Sequence, residues 1–541
     1  MKLDWMQHLI ILPVLLPLVC GALLILINEK RHQFKFVVNF SSVLLQLGIA
    51  VALVYLTDSG HWTEGIGIYL AANWSAPFGI ALVVDRLASI MLLLTAVLAT
   101  AALLFSMLRW SRIGVHFHTL FQFLLMGING AFLTHDLFNL FVFFEVMLAA
   151  SYGLVLHGYN TNRIRASMQY IAVNLTASLL FLIGVALIYA STGTLNMSDL
   201  AVRLGSIDAS DLILLKIGMA VLAIAFLVKS AMWPLGFWLP TTYAAASPPV
   251  AVMLVLMTKV GAYVILRMWL LVFSSNGSAA AGFGFDALLW GGMATIVFGA
   301  AGMLASATPG RMAGYSAIIS SGTLLSVIGY GQASLVTAGL YYLIGSTLAL
   351  AAFVLLIELV DRIRSPGASM LALTMEAFAI EDMPENTAGV GIPGALAFLG
   401  LAFAACALIM TGLPPLSGFV AKFGLIHAML NPDSTDTVIG PTTWVLMALI
   451  VLSGLAAIIS MMRFGVRTFW AAGTIAAPPL HVSEVAPISL LLLLCVVLTV
   501  QAGPIYDYLA RTSKDLHQPA HYIHKVLNEP VVPGTRKGDT P

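Results

Sequence analysis

The sequence predicts an all-α polytopic membrane protein with about 14 transmembrane helices, built from inverted repeats that contain broken helices. The first observation is composition: the 541 residues are 60% hydrophobic and 9% charged, whereas soluble domains carry about 25% charged residues. The second is that apolar runs of about 20 residues, long enough to cross a bilayer, recur along the chain. The third is that prolines interrupt two of these runs.

The charge balance and the cysteines exclude several classes of function. The formal net charge is +1 and the chain has no run of basic residues, so nucleic acid is not an expected partner. Cys20, Cys406 and Cys495 lie far apart inside apolar runs, which gives neither a metal-site spacing nor a disulfide framework. We therefore expect no metal and no cofactor, and we expect the lipid bilayer to be the surrounding medium.

The apolar runs are the predicted spans, and they are numbered here in chain order. Spans 1 to 7 are Leu9–Ile27, Phe36–Leu56, Phe78–Met107, Val115–Leu133, Leu137–His157, Ile164–Tyr189 and Leu212–Trp233. Spans 8 to 14 are Pro248–Phe273, Ala287–Ala305, Met312–Tyr330, Val336–Val360, Ile392–Leu430, Trp444–Met462 and Val485–Ile505.

Basic residues in the loops predict the orientation, because cytoplasmic loops of membrane proteins collect Lys and Arg. One set of alternate loops holds little beyond Arg203 and carries several acidic residues. The other set holds Lys30, Arg31, Lys35, Arg109, Arg112, Arg163, Arg165, Arg311, Arg362, Arg364, Arg463 and Arg467. We expect the loops rich in Lys and Arg to be cytoplasmic, which places both termini outside. We also expect the protein to lie in the cell inner (plasma) membrane. The polar tail, residues 511–541, contains several prolines and is expected to be loosely structured.

Two spans contain proline breaks with a lysine nearby. Pro234 and Pro240 interrupt span 7 after Lys229, and Pro414 and Pro415 interrupt span 12 before Lys422. The breaks lie five spans apart, an odd offset, so the two helices run in opposite directions, as in inverted repeats that line a transport pathway. The alternative is that both breaks are proline kinks that serve packing alone.

Four charged residues lie deep in the predicted spans: Glu145, Lys229, Lys259 and Lys422. A charge at the centre of a transmembrane helix costs about 2.5–3.5 kcal/mol on insertion scales, so each needs a partner or a hydrated cavity. One glutamate cannot pair three charged lysines. This imbalance favours a proton path over an alternative in which one buried ion pair holds helices together.

Three further residues are secondary candidates. Asp136 opens span 5 and is expected to cap that helix. His427 lies near the outer end of span 12 and fits an interfacial histidine better than a member of a relay. Lys216 precedes Lys229 by 13 residues, about 20 Å along a helix, and its side chain can extend to the membrane surface.

Several segments resemble the D subunit of the Mrp-type multisubunit cation/proton antiporters, which is similar to the antiporter-like subunits of respiratory complex I. They are DLFNLFVFFEVMLAASYGLVLHG (136–158), VKSAMWPLGFWLP (228–240), TKVGAYVILR (258–267), LPPLSGFVAKFGL (413–425) and RFGVRTFW (463–470). The resemblance runs from roughly Phe78 to Trp470 and is most specific around Glu145.

The resemblance implies two inverted five-helix repeats and a proton relay. It divides the chain into helices 1–3 (1–110), a first repeat of helices 4–8 (111–273), a second repeat of helices 9–13 (274–470), helix 14 (471–510) and the polar tail. It also implies that Glu145 modulates Lys229, and that protons then pass Lys259 towards Lys422. Exchange of H⁺ for Na⁺ would require other subunits of the same complex.

The second repeat departs from the pattern of these relatives. Gly310 stands where a lysine is common, Ser320 where a His or Gln is frequent, and Gly345 where a His is usual. Deep serines and threonines in this region could order water, but they do not hold a proton near neutral pH. The second half of the relay is therefore the part of the pathway that the resemblance supports least.

Other functions stay open at this stage. One is a proton-pumping membrane subunit of an NADH:quinone oxidoreductase or a membrane-bound hydrogenase. Another is an assembly scaffold with an inactive relay, which predicts that charge-removing changes at Lys229 and Lys259 are tolerated. Direct use of haem is disfavoured, because the 12 histidines lie mostly in loops, tails or helix ends.

Overall fold

The computed structural model describes residues 5–158, 161–273, 280–363, 394–432, 439–469 and 480–531. Most of these residues are helical, and a helix or a pair of half-helices coincides with every predicted span. The helices that coincide with spans 1 to 8 are Leu12–Leu26, His32–Asp58, Arg86–Ser106, Phe117–Leu133, Leu137–Val155, Thr161–Thr192, Ala209–Lys229 with Leu239–Ala245, and Pro248–Val272. The remaining spans are Phe285–Ala305, Pro309–Tyr330, Ala333–Ile363, Gly394–Thr411 with Ser417–Leu430, Pro441–Phe469 and Val482–Val500.

Twelve of these helices are long and apolar enough to cross a membrane. The predicted all-helical membrane architecture, with broken helices in spans 7 and 12, is thereby confirmed, whereas the count of 14 crossings stays a prediction. Three of the matching helices, Leu12–Leu26, Phe117–Leu133 and Ser417–Leu430, are apolar but shorter. Trp470, at the end of the RFGVRTFW segment, and Arg364, in a loop predicted to be cytoplasmic, lie outside the described residues.

A short β-hairpin precedes span 3 and is absent from the sequence prediction. Strand β1, Gly67–Leu70, pairs antiparallel with β2, Ala81–Val84, in a register that places Gly67 opposite Val84. The hydropathy pattern assigns the apolar run from Phe78 wholly to span 3, but the helix begins at Arg86. Asp85 ends the strand and caps the helix, because its carboxylate accepts a hydrogen bond of 2.9 Å from the Ala88 amide.

Span 8 lies at the centre of the molecule. Every residue from Pro248 to Val272 is buried, whereas spans 2, 6 and 13 expose apolar side chains such as Leu45, Leu179 and Val451 on their outer faces. A helix that is apolar on all sides is buried in a large protein core. Lys259, near the middle of span 8, is therefore surrounded by protein on all sides.

Two glycines allow span 10 to pack closely against the second half of span 7. A β-carbon at Gly310 would lie 2.8 Å from the Ala244 Cα, and one at Gly314 would lie 2.5 Å from the Pro240 Cα. Real β-carbons do not approach this closely. The glycine at 310, where relatives commonly carry lysine, is thus explained by backbone packing in this chain.

The predicted loose tail is wrong for the described part of that segment. Residues Ala502–His517 and Pro519–Leu527 form helices, and Pro519 occupies the first turn, where its missing N–H costs nothing. These helices are fastened to the hairpin side of the protein by ion pairs Arg511–Asp58 (2.9 Å) and Arg86–Asp515 (2.6 Å). Pro519 therefore marks the start of a helix rather than disorder, and residues 532–541 lie outside the described part.

Candidate functional site at the broken helices

The first break places Lys229 at the end of a helix. Ala209–Lys229 stops at this lysine, and the chain resumes helical structure at Leu239. Pro234 lies inside the break, as predicted. Pro240, however, lies in the first turn of the second half-helix and begins it rather than interrupting it. The break therefore covers residues 230–238.

The Lys229 ammonium is buried, and no side chain or carbonyl of the described residues accepts a hydrogen bond from it. The residue is 5% exposed, and Nζ is buried with no hydrogen-bond partner among the described residues. It lies 5.3 Å from the centroid of the Phe144 ring, a cation–π distance. A cavity of about 10 Å³ beside it is also lined by Tyr170, Asn174 and Thr258, and this is about the space that one water needs.

Glu145 lies next to this site without an ion pair to Lys229. Its carboxylate acts on Lys229 electrostatically, but Glu145 Oε1 is buried and has no hydrogen-bond partner among the described residues, as is true of Lys229 Nζ. The alternative of a static ion pair between these two residues is therefore not seen in this structure. The Phe144 ring, one residue before Glu145, lies over the ammonium.

Lys259 links span 8 to span 10. It is fully buried at 0% exposure, and its Nζ donates a hydrogen bond of 2.6 Å to Ser320 Oγ in span 10. Ser320 in turn is 3.0 Å from Ser346 Oγ in span 11. The serine at the position where relatives often carry His or Gln is thus the direct partner of the central lysine.

The hydroxyl chain continues towards the second break. Gly345 precedes Ser346, and a β-carbon at Gly345 would lie 3.7 Å from Ser417 Oγ. Ser417 begins the second half of span 12, and its hydroxyl is buried without a partner among the described residues. Spans 10, 11 and 12 thus each place a serine in the region where the sequence lacks ionisable side chains, and the hydrogen bonds join the first two of them.

The second break brings Lys422 back to the first half of its own span. Gly394–Thr411 ends before the break, which contains Pro414 and Pro415 as predicted, and Ser417–Leu430 follows it. Lys422 Nζ donates a hydrogen bond of 2.8 Å to the Thr411 carbonyl. This carbonyl belongs to the last turn of the half-helix, where carbonyls lack intrahelical partners, so the ammonium satisfies it.

The secondary candidates lie away from this axis. The Asp136 carboxylate accepts a hydrogen bond of 2.8 Å from the Asn139 amide, which confirms that it caps its helix. His427 is exposed and lies beside Phe423, with ring centroids 6.0 Å apart. Lys216 is half-buried and lies further out on the first half of span 7.

A second buried charged site escaped the sequence interpretation. Arg267 donates two hydrogen bonds to Asp85, at 2.6 and 2.7 Å, and the guanidinium lies 5.2 Å from the Tyr522 ring of the C-terminal helix. Burial opposes the Asp85 charge, but the Arg267 charge and hydrogen bonds outweigh it and hold the pKa of Asp85 below its usual range. The carboxylate inside the apolar run LVVDRL was the signal that could have found it.

His135 lies under the same C-terminal helix. Its Nδ1 is 3.1 Å from the Tyr522 hydroxyl and its Nε2 is 2.7 Å from Ser198 Oγ. Burial lowers the pKa of His135 to about 3, and the Arg267 charge adds to this effect. The imidazole is therefore neutral at physiological pH and acts as a hydrogen-bonding group rather than a charge.

Comparison with known proteins places this geometry in a family. The family model described as NADH:quinone oxidoreductase/Mrp antiporter, TM, matches residues 134–448, which include all four charged residues of the candidate relay. The chain belongs to the NADH:quinone oxidoreductase/Mrp antiporter transmembrane family. The resemblance seen in the sequence motifs is thereby confirmed.

Relatives within this family match almost the whole chain. The D subunit of a probable K(+)/H(+) antiporter from Rhizobium meliloti (strain 1021) is 52% identical over 97% of this chain and 99% of its own length. The D subunit of a Na(+)/H(+) antiporter from Alkalihalophilus pseudofirmus is 33% identical over 97% of this chain and 100% of its own length.

Solved structures show the same fold in two kinds of complex. A chain of the Mrp complex from Dietzia sp. DQ12-45-1b superposes with a TM-score of 0.79 at 26% identity, covering 97% of this chain and 100% of that one. A chain of respiratory complex I from Thermus thermophilus gives 0.73 at 21% identity, covering 96% and 100%. The second likeness establishes the fold alone, because so low an identity carries no function.

Proposed function

We propose that this chain is the proton-translocating subunit of a multisubunit monovalent cation/proton antiporter. The observation that carries the proposal is a series of three lysines within the helices, of which Lys229 and Lys259 are buried and Lys422 is half-buried. Each is placed differently: Lys229 has no hydrogen-bond partner among the described residues, Lys259 donates to a serine, and Lys422 donates to a freed carbonyl. A static structural role would give each buried charge a counter-ion. Glu145 lies near Lys229 alone, and none of the three lysines has a carboxylate ion pair within the described residues, which suits them to gain and lose protons.

Proton entry is proposed from the side that carries the basic loops. A cavity of about 1020 Å³ is lined by Arg163, Arg311, Glu358 and the ring of Tyr243, among others. The Tyr243 hydroxyl lies next to Thr258, which lines the small cavity at Lys229. Water can therefore approach Lys229 through two buried side-chain hydroxyls, and the large cavity would supply protons from the cytoplasm.

Onward transfer is proposed along the hydroxyl chain. Lys259, Ser320 and Ser346 are joined by hydrogen bonds of 2.6 and 3.0 Å, and Ser417 continues the line to the half-helix that carries Lys422. Hydroxyl groups both donate and accept hydrogen bonds. They can thus pass a proton between two lysines, with water completing the gaps, although they do not store it.

The exchanged cation is proposed to be monovalent, with K⁺ and Na⁺ as the two candidates. The relative that is 52% identical is named for K⁺ and H⁺, and the relative that is 33% identical is named for Na⁺ and H⁺. Both names describe part of a transporter rather than an enzyme. The sequence prediction of Na⁺ is therefore widened to include K⁺, and other subunits of the complex would contribute to the cation path.

The predicted orientation, with both termini outside, is part of the same proposal. The C-terminal helices are ion-paired to Asp58 and Arg86, which flank the hairpin between spans 2 and 3. This loop belongs to the set that is poor in Lys and Arg, the set expected outside. The geometry thus supports a C-terminal segment on the outer face of the plasma membrane.

The test uses inverted membrane vesicles that contain the whole complex. Proton movement is followed after addition of NaCl or KCl, for the native complex and for Lys259→Ala and Glu145→Ala at matched expression. The proposal predicts that one of the two salts drives proton movement and that Lys259→Ala abolishes it. Native rates in both variants, with the complex assembled, would favour the scaffold hypothesis instead.

A further inference from the structure

The Lys422 side chain lies against two glycines that come from different helices. Gly412 follows the first half of span 12, with a left-handed φ of 81°, and Gly454 lies in span 13. A β-carbon at Gly412 would lie 2.5 Å from Lys422 Cδ, and one at Gly454 would lie 2.7 Å from Lys422 Nζ. One glycine therefore leaves space for the aliphatic stem and the other leaves space for the ammonium.

The space at Gly454 is also where the ammonium meets its acceptor. The same β-carbon would lie 2.9 Å from the Thr411 carbonyl oxygen, to which Lys422 Nζ donates at 2.8 Å. The last carbonyls of a helix carry the negative end of its dipole, so this acceptor favours the charged form of the lysine. A methyl group at position 454 would intrude on both partners of this hydrogen bond.

The Thr411 carbonyl is the polar group that matters for the Lys422 charge. Lys422 forms no ion pair within the described part of the chain, where the Thr411 carbonyl is its hydrogen-bond acceptor. The helices packed against its own carry Tyr341, Tyr342, Cys406 and Cys495 and, nearer their ends, Glu358, Asp361, Arg362, Arg463, Arg467 and Glu484. Tyr506 lies beside Gly424, and His427 on the same helix as Lys422 is exposed. Loss of the carbonyl contact would therefore not be offset by a nearby carboxylate.

We propose that Gly454 is a positioning residue, which allows Lys422 to dock its charged ammonium on the Thr411 carbonyl. The inference rests on the proposed function, in which Lys422 is a proton carrier. Docking holds the proton at the end of the hydroxyl chain, and the lysine releases it when the ammonium leaves the carbonyl. Gly412 supports the same docked position through the stem of the side chain.

A double-mutant cycle on thermal stability tests the docking without measuring transport. The Tm of the purified complex is compared for Gly454→Ala in the native background and in a Lys422→Ala background. The contact of the methyl group with the Thr411 carbonyl is the same in both backgrounds, so if the methyl group also acts on the ammonium, Gly454→Ala lowers the Tm by several degrees more in the native background than in the second. Equal losses in both backgrounds would overturn the proposal, because the clash would then be with helix backbone alone.

The control is Gly400→Ala in the first half of span 12. A β-carbon at Gly400 meets no atom within 4 Å, so the same chemical change is expected to leave the Tm and the exchange unaltered. If Gly454→Ala alone prevents assembly, recovery of the complex in the Lys422→Ala background supports the docking, and failure in both backgrounds contradicts it.

The pH dependence of exchange separates positioning from packing. A charged lysine that loses its acceptor gives up its proton more readily. The pH at which exchange falls off as the pH rises should therefore be about one unit lower in Gly454→Ala than in the native complex. An unchanged profile in an assembled Gly454→Ala complex would overturn the proposal. If the complex with Lys422→Ala exchanges ions at the native rate, the proposed role of Lys422 as a proton carrier fails. The double-mutant cycle on the Tm still reports, independently, whether the ammonium docks on the carbonyl.

Discussion

Removal of the Ser320 hydroxyl is the sharpest single perturbation of the candidate pathway. Ser320 Oγ is the acceptor for the Lys259 ammonium at 2.6 Å, and Lys259 is fully buried. A hydrogen bond to a charged group contributes about 1.5–3 kcal/mol, and 1.36 kcal/mol corresponds to about a factor of ten in an equilibrium. Ser320→Ala should therefore lower the equilibrium constant for protonation of Lys259 by about 10- to 100-fold.

The assay is cation-dependent proton movement in inverted vesicles that carry the whole complex. If transfer passes through protonated Lys259, the maximal rate in Ser320→Ala falls by about the same 10- to 100-fold factor. The matched control is Ser321→Ala, because Ser321 is buried beside Ser320 and its hydroxyl has no partner among the described residues. Equal rates in the two variants, with equal amounts of assembled complex, would refute the reasoning.

Three predictions concern stability and are read from the Tm of the purified complex. Asp85→Asn leaves Arg267 buried without its counter-ion and should lower the stability of the complex by about 3–5 kcal/mol. The control, Asp58→Asn, changes a 37% exposed carboxylate and should lower it by about 1 kcal/mol or less. Comparable Tm values for the two variants would contradict this prediction. Because the folded pKa of Asp85 is lowered, its contribution is present above the ordinary carboxyl pKa and is lost as the pH falls through the folded value. The Tyr522 side chain covers Arg267 and His135, so Tyr522→Ala should destabilise the complex by about 3–5 kcal/mol. A Tm within about one degree of the native value would show that the C-terminal helix is not anchored there. Gly310→Lys introduces the residue common in relatives but should lower the Tm, because a β-carbon at this position would lie 2.8 Å from the Ala244 Cα. The control is Arg311→Lys, at an exposed neighbouring residue. An unchanged Tm in Gly310→Lys would contradict the packing argument.

The spans and the broken helices could be predicted because their signals are local. Apolar runs of membrane length and prolines that remove backbone donors act within one helix. Lys259 and Lys422 could be singled out because a charge in such a run is conspicuous. Their partners, the Ser320 hydroxyl and the Thr411 carbonyl, could not be named, because they depend on how separate helices approach one another.

Other errors have the same origin in tertiary contacts. The Phe144 ring lies over the Lys229 ammonium, a contact that the charges of Glu145 and Lys229 alone do not predict. The C-terminal segment was expected to be loose because of its prolines and polarity, yet the ion pair Arg511–Asp58 fastens it to a loop 453 residues earlier in the chain. Sequence polarity alone does not reveal a partner at that separation.

The most direct test of the central claim compares Lys229→Ala with Lys216→Ala in the assembled complex. Both lysines lie on the first half of span 7, and the chemical change is the same. Lys229→Ala should abolish cation-driven proton movement in inverted vesicles, because the proton carrier at the first break is lost. Lys216→Ala should leave it in place, since that side chain lies towards the outer end of the helix. Native exchange in Lys229→Ala would contradict the relay and show that the buried lysines serve assembly.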